Sequence, residues 1–206
     1  MSKRPVVLVV MDGVGISDSE FGNAVKKAYK PTLDNLWENS PHTEIKAHGL
    51  AVGLPTDDDM GNSEVGHNAL GCGQIYSQGA KLVNENIETG EIFKTETWSG
   101  LVNNCKDGKM HFLGLLSDGN VHSHINHLKA LIKKAKEDGV KEVRVHALLD
   151  GRDVPETSAL TYVDDIEAYM AELNDDSFHA CIASGGGRMT ITMDRYEANW
   201  AMVEQG

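Results

Sequence analysis

Cysteine is scarce in this chain of 206 residues, which holds only Cys72, Cys105 and Cys181. The three are widely spaced, so they exclude a disulfide framework and a CxxC metal site. We interpret all three as buried or incidental thiols, because free cysteine packs as a small apolar residue. Their low number favours a reducing compartment.

Long apolar runs and an excess of positive charge are also missing. No apolar run reaches the roughly 20 residues that span a bilayer, and the first residues lack the apolar region of a signal peptide. The net charge is −12, from 19 basic and 31 acidic residues, which excludes a general attraction to nucleic acid or anionic membranes. We therefore predict a cytoplasmic globular protein with no nucleic-acid or membrane partner, in which local arginines bind any anionic substrate.

The segment from Met60 to His67 contains the candidate nucleophile, Ser63. Asn62 or Ser63 is a plausible N-cap of a helix, and Glu64 would lie in its first turn. Free backbone N–H groups and the positive end of the helix dipole suit a site that holds phosphate. The alternative is that Ser63 only caps a helix.

Asp12 is the candidate metal ligand. It follows Pro5–Met11, a β-branched apolar run typical of a strand buried on both faces of a parallel sheet. Ligands bind at the carboxyl ends of such strands, and carboxylate oxygens suit Mn²⁺ or Mg²⁺. The alternative is an aspartate that merely begins a turn before Gly13. Asp12 and Ser63 together suggest a serine activated by metal.

Periodicity predicts further elements along the chain. A helix is expected after Pro31, with Trp37 in the core, and a short strand at 42–47. The later region alternates strand and helix, which predicts βαβ units and a mainly parallel sheet. The predicted elements of this region are strands at 110–116, 142–149 and 178–183 and helices at 123–138 and 156–173.

Several polar groups follow these predicted strands and allow more than one interpretation. His122, His124 and His127 cluster near a helix start, where the spacing makes a zinc site conceivable, but no carboxylate or thiol completes it. Arg152 and Asp153 could form an ion pair that stiffens a turn. The three glycines before Arg188 are a weak phosphate-loop signal. The acidic run 57–59 could attract a cation or be a solvated loop.

Several motifs, in the same order, resemble those of the cofactor-independent (2,3-bisphosphoglycerate-independent) phosphoglycerate mutases of the alkaline phosphatase superfamily. They are spread over essentially the whole chain, whereas a phosphopentomutase or metal-dependent phosphatase would lack this combination. The motifs are Met11–Gly15, Gly22–Ala24, Ala51–Pro55, Met60–His67, Ser117–His124, Asp150–Val154, Gly185–Arg188 and Met193–Tyr196.

The resemblance implies an α/β fold with three αβα layers and mainly parallel sheets. In that family a phosphatase-like domain is split by an inserted transferase domain. Residues 1–77 would be the first part of the metal-binding phosphatase-like domain, and residues 78–206 the N-terminal part of the phosphotransferase domain. Both domains would be incomplete here.

The resemblance also implies a mechanism with two divalent metal ions, Mn²⁺ first and Mg²⁺ or Co²⁺ as alternatives, and no 2,3-bisphosphoglycerate. Ser63, oriented by a metal that Asp12 also binds, would take the phosphoryl group of 3-phosphoglycerate and return it to the 2-hydroxyl. Asp153 would be the general acid and base. Substrate would be held by Asp153 and by four further residues, namely His122, Arg152, Arg188 and Arg195.

The family's chain is more than twice as long as this one. The sequence ends at Gly206, before the family's later substrate-binding residues and metal ligands. We therefore expect the chain to be inactive alone and to need a C-terminal half, in a family that is typically monomeric. The alternative is a non-catalytic fragment that binds phosphoglycerate or complements in trans. The presence of Asp12, Ser63 and Asp153 argues against an independently evolved binder.

Overall fold

The computed structural model describes residues 4–11, 13–191 and 199–206. The chain divides into two compact units, Met1–Ile45 and Lys46–Gly206. Ser63 and the predicted substrate-binding residues that the structure describes all lie in the second unit. The domain boundary expected between residues 77 and 78 stays a prediction.

The first unit contains two helices, α1 (Ala24–Lys27) and α2 (Pro31–Asn39). Pro31 occupies the first turn of α2, where its fixed φ suits a helix and its missing N–H costs nothing. The prediction that Trp37 lies in the core is wrong, since it is 49% exposed and stacks on the ring of His42, with centroids 4.2 Å apart.

The strand predicted at residues 5–11 is not formed, and neither is the short one at 42–47. The apolar side chains from Val6 to Met11 are between 48% and 95% exposed. A strand buried on both faces needs neighbouring strands for its backbone N–H and C=O groups. The described residues of the first unit provide no such neighbour, so the apolar pattern alone does not produce a strand.

The second unit alternates helices and strands. Asn62 is the N-cap of α3 and accepts a hydrogen bond at Oδ1 from the Val65 N–H, 3.0 Å away. The elements in chain order are a 3₁₀-helix (Gly49–Val52), α3 (Ser63–Cys72), α4 (Ala80–Glu88), a 3₁₀-helix (Glu91–Lys94), α5 (Glu96–Asn104), β1 (Met110–Leu116), α6 (Ile125–Glu137), β2 (Glu142–Leu149), α7 (Ala159–Leu173), β3 (His179–Gly187) and α8 (Trp200–Gln205).

The strands form a parallel sheet in the order β1-β2-β3, which confirms the predicted α/β class with parallel pairing. Helix α7 packs against β1 and β3 and also against α6. Alternate residues of β2 are buried on the helix side of the sheet. The main core combines strand residues with residues of α5, α6 and α7, and its most deeply buried members are Leu116, Ile132, Val143, Val145 and Ile166.

Candidate functional site

Buried polar residues follow directly after the three parallel strands. The register pairs Leu116 with Leu149 and Leu149 with Gly187, so the carboxyl ends of the strands lie side by side. Open α/β sheets bind their ligands at this edge. The residues that directly follow the ends of the three strands are Ser117, Asp150 and Arg188, and each of them is at most 4% exposed.

Asp150 accepts hydrogen bonds from four donors. Ser117 Oγ donates to Oδ2 over 2.8 Å, while the backbone N–H groups of Arg152 and Asp153 donate to Oδ1 over 3.2 and 3.1 Å. Arg188 Nη1 lies 2.9 Å from the same Oδ1. Burial raises the pKa of Asp150, but these hydrogen bonds and the charge of Arg188 outweigh it and hold the pKa below its ordinary value. Asp150 is therefore ionised, and these four hydrogen bonds hold its carboxylate in place.

Arg188 joins Asp150 to Asp153. Its Nη1 lies 2.8 Å from Asp153 Oδ2 in addition to its contact with Asp150. His122 Nε2 lies 3.8 Å from the same Asp153 oxygen, beyond hydrogen-bond distance. Asp153 Oδ2 therefore lies near both a buried guanidinium and a solvent-exposed imidazole. We call Ser117, Asp150, Asp153 and Arg188 the Arg188 cluster.

The structure brings together three of the predicted site residues, His122, Asp153 and Arg188. The ion pair considered between Arg152 and Asp153 is not formed, because Asp153 pairs with Arg188 instead. The Arg152 side chain is exposed, and no side-chain hydrogen bond or ion pair holds it within the described part of the chain. Arg195 lies outside the described residues.

Sequence reasoning did not single out Ser117 and Asp150, although they fix the geometry of this edge. The signal was available, because each is the first residue after a predicted parallel strand.

Ser63 is the first residue of α3, and its side chain is solvent-exposed. Its Oγ lies 3.2 Å from His67 Nδ1, and that nitrogen lies 2.7 Å from the carbonyl oxygen of Ser63. The contact with a carbonyl requires Nδ1 to carry the proton. A protonated Nδ1 cannot accept the hydroxyl proton of Ser63, so His67 in this position is not its general base.

The loop before Ser63 contacts the loop after β1. Asn120 Nδ2 donates a hydrogen bond to Asp59 Oδ1 across 61 residues of sequence. Asp57 Oδ1 accepts from the Leu50 N–H over 3.2 Å. Two carboxylates of the acidic run therefore bind groups of the protein, and Asp58 remains exposed.

His124 and His127 have structural contacts. His124 Nδ1 accepts a hydrogen bond from the Asn126 N–H, which makes it the N-cap of α6. His127 Nε2 contacts Asn84 Oδ1, which links α6 to α4. Burial, and then the nearby charge of His124, lower the pKa of His127.

The described residues do not form a metal-ligand set. Within residues 4–11, 13–191 and 199–206, no three His, Cys, Asp or Glu side chains are grouped so that they could hold a metal ion. Asp12 lies outside this part of the chain. Ser63 alone has too few donor atoms for a hard divalent cation, which takes six or more oxygen ligands. Among the helices of the described residues, none combines the length and the apolar character that a bilayer span requires.

Comparisons with known proteins give consistent results. A family model described as the N-terminus of BPG-independent phosphoglycerate mutase matches residues 83–206. A Leptospira interrogans protein named probable 2,3-bisphosphoglycerate-independent phosphoglycerate mutase is 55% identical over 98% of this chain and 38% of its own length. The 2,3-bisphosphoglycerate-independent phosphoglycerate mutase of Trypanosoma brucei brucei is 50% identical over 100% of this chain and 38% of its own.

A solved structure agrees with the sequence matches. Crystal structures of Leishmania mexicana phosphoglycerate mutase at low cobalt concentration include a chain that superposes with a TM-score of 0.82 at 49% identity. The match covers 96% of this chain and 36% of that one. The chain thus spans less than two-fifths of the length of these relatives, and it belongs to the BPG-independent phosphoglycerate mutase family, whose N-terminal part it matches.

Proposed function

We propose that this chain supplies the N-terminal part of a cytoplasmic mutase that interconverts 3-phosphoglycerate and 2-phosphoglycerate in glycolysis and gluconeogenesis. The names of its relatives support the substrate pair. The observation that carries the proposal is the Arg188 cluster, in which Asp153 Oδ2 pairs with the buried Arg188 and lies 3.8 Å from the exposed His122 imidazole. The working enzyme would be monomeric in its complete form.

Ser63 would accept the phosphoryl group. Its deprotonated Oγ forms the new P–O bond, and the bond between phosphorus and O3 of glycerate breaks. Asp153, which must enter this step protonated, donates its proton to O3, and the resulting carboxylate then removes the proton of the 2-hydroxyl, which attacks phosphoserine and releases Ser63 Oγ as the alkoxide. The position of Ser63 at the first turn of α3 supports this role, because the helix dipole and free N–H groups favour an anionic phosphoryl group.

The substrate would be held by positive and polar side chains around Asp153. The exposed Arg152 has a guanidinium fork available for bidentate contact with a carboxylate or phosphate. Arg188 Nη1 donates to the carboxylates of Asp150 and Asp153 in the structure. Its proposed contact with substrate therefore uses the other N–H donors of the guanidinium. His122 and Arg195 complete the proposed set.

Two divalent metal ions, Mn²⁺ first and Mg²⁺ or Co²⁺ as alternatives, would when bound neutralise charge on the transferring phosphoryl group. Asp12 and Ser63 would each provide a ligand. The later aspartate and histidine ligands that the family resemblance implies are assigned to the part of the relatives' length that this chain does not cover. No 2,3-bisphosphoglycerate is required.

We expect this chain alone to show no measurable mutase activity. The test is a coupled assay with Mn²⁺ on the purified chain, alone and mixed with a polypeptide that corresponds to the remainder of the relatives' length. Activity is expected only in the mixture. Ser63→Ala should abolish it, whereas Ser99→Ala, at an exposed position of α5, should leave it unchanged.

Two results would contradict parts of this proposal. Interconversion by the chain alone, freed of contaminating mutase, would show that it does not need the remainder. A mixture that folds and stays inactive would favour the alternative function, a non-catalytic fragment that binds phosphoglycerate.

A further inference from the structure

We infer that Asp59 and Asn120 form a latch that positions the Ser63 loop (residues 56–63) against the His122 loop (residues 117–122). Both are positioning residues, and the inference rests on the proposed function of Ser63 and His122. The latch is the hydrogen bond from Asn120 Nδ2 to Asp59 Oδ1. Asp59 lies four residues before Ser63, the proposed nucleophile. Asn120 lies two residues before His122, the proposed substrate-binding histidine.

Asp59 is fixed within its own loop. Its Oδ2 accepts hydrogen bonds from the Thr56 N–H and from Thr56 Oγ1, over 2.7 and 2.8 Å. Its backbone carbonyl accepts from the Gly49 N–H over 3.1 Å. Partial burial raises the pKa of Asp59, but hydrogen bonds from Asn120 and Thr56 and the nearby charge of His124 outweigh it, so the pKa is below its ordinary value. The loop therefore presents a rigid, ionised acceptor at Oδ1.

The conformation of Asn120 is unfavourable apart from this contact. Its φ is +58°, in the left-handed region that favours glycine, and it is the only non-glycine residue with positive φ in the described part of the chain. Its Oδ1 is buried without a hydrogen-bond partner. Both features destabilise the folded state. Within the described structure, the hydrogen bond to Asp59 is the one favourable interaction that the side-chain amide of Asn120 makes.

The His122 loop is fixed at its other end by the Arg188 cluster. Ser117, its first residue, donates to Asp150, which in turn binds Arg188. The loop also packs closely against Asp153 at Gly119, since a Cβ at that position would lie 3.2 Å from Asp153 Cβ. The latch thus links the nucleophile loop to a rigid set of groups around Asp153, and productive phosphoryl transfer depends on such placement.

Asn120→Gly tests the latch, because glycine adopts the same φ and lacks only the amide. We expect thermal stability to be retained and the Asp59 pKa, measured by ¹³C-carboxyl NMR on the chain, to rise. In the reconstituted mixture we expect kcat to fall about 10- to 100-fold with KM nearly unchanged, because reacting groups displaced by about 1 Å lose rate on this scale. An unchanged kcat would overturn the positioning role.

A swap of the two side chains provides the rescue control. Asn120→Asp alone places two carboxylates against each other and should lower kcat at least as much. Adding Asp59→Asn should restore most of the loss, since asparagine can accept from Thr56 and donate to the new aspartate. A double variant no better than Asn120→Asp would overturn the latch. An inactive wild-type mixture would overturn the proposed function. Separately, if Asn120→Gly leaves the pKa of Asp59 unchanged, the hydrogen bond between Asn120 and Asp59 is overturned.

Discussion

Replacing Arg188 by methionine should lower the free energy of unfolding by about 3–5 kcal/mol, the usual cost of removing one partner of a buried ion pair. Methionine keeps much of the side-chain length but leaves the 1% exposed Asp150 and the 16% exposed Asp153 without their shared cation. Urea unfolding followed by circular dichroism measures the change. Asp150 keeps the hydrogen bonds from Ser117 and two backbone N–H groups, so we expect the lower half of this range.

Arg152→Met is the matched control. The same residue type is replaced in the same strand-end region, but the Arg152 side chain is exposed and makes no ion pair in the part of the chain that the structure describes. Its effect should stay within about 0.5 kcal/mol. Equal effects of the two substitutions would contradict the assignment of Arg188 as the central cation of this edge.

Gly61→Ala should destabilise the chain by about 1–3 kcal/mol, the range for overpacking. A Cβ at Gly61 would lie 2.1 Å from the carbonyl oxygen of Ala47, a backbone atom that cannot rotate away. The two segments must separate, which also displaces Ser63 two residues later. Thermal unfolding measures the loss of stability, and the assay of the mixture measures the loss of activity.

Gly66→Ala is the control for this substitution. Gly66 lies within α3, and a Cβ there would meet nothing within 4 Å. Alanine should stabilise the helix by about 0.5–1 kcal/mol, because glycine loses more backbone entropy on folding. The account of Gly61 is wrong if both substitutions change stability in the same direction by similar amounts.

The parallel sheet could be predicted because each of its strands has an apolar local pattern and also pairs with a neighbouring strand. β1 and β2 have the predicted bounds, and α6 and α7 begin within three residues of the predicted starts. The run from Val6 to Met11 has an equally apolar pattern but forms no strand. The difference is physical, since a strand depends on partners that the sequence of the run does not specify.

The candidate site was predictable only in part. The position of Asp153 shortly after a predicted parallel strand made it a candidate, and the family resemblance supplied the proposed roles of Asp153, Arg188 and His122. The central role of Asp150 depends on four simultaneous hydrogen bonds, which no spacing rule gives. The bond between Asp59 and Asn120 joins residues 61 apart, so it could not be read from local sequence.

The most direct test of the central claim is to trap the phosphorylated protein. The chain, mixed with the remaining part of the enzyme, Mn²⁺ and 3-phosphoglycerate, is quenched during turnover, and its peptides are analysed by mass spectrometry. The account predicts one added phosphoryl group on the peptide that contains Ser63, absent from Ser63→Ala and present in Ser99→Ala. Turnover with a phosphoryl group on another residue, or undiminished turnover by Ser63→Ala, would contradict it.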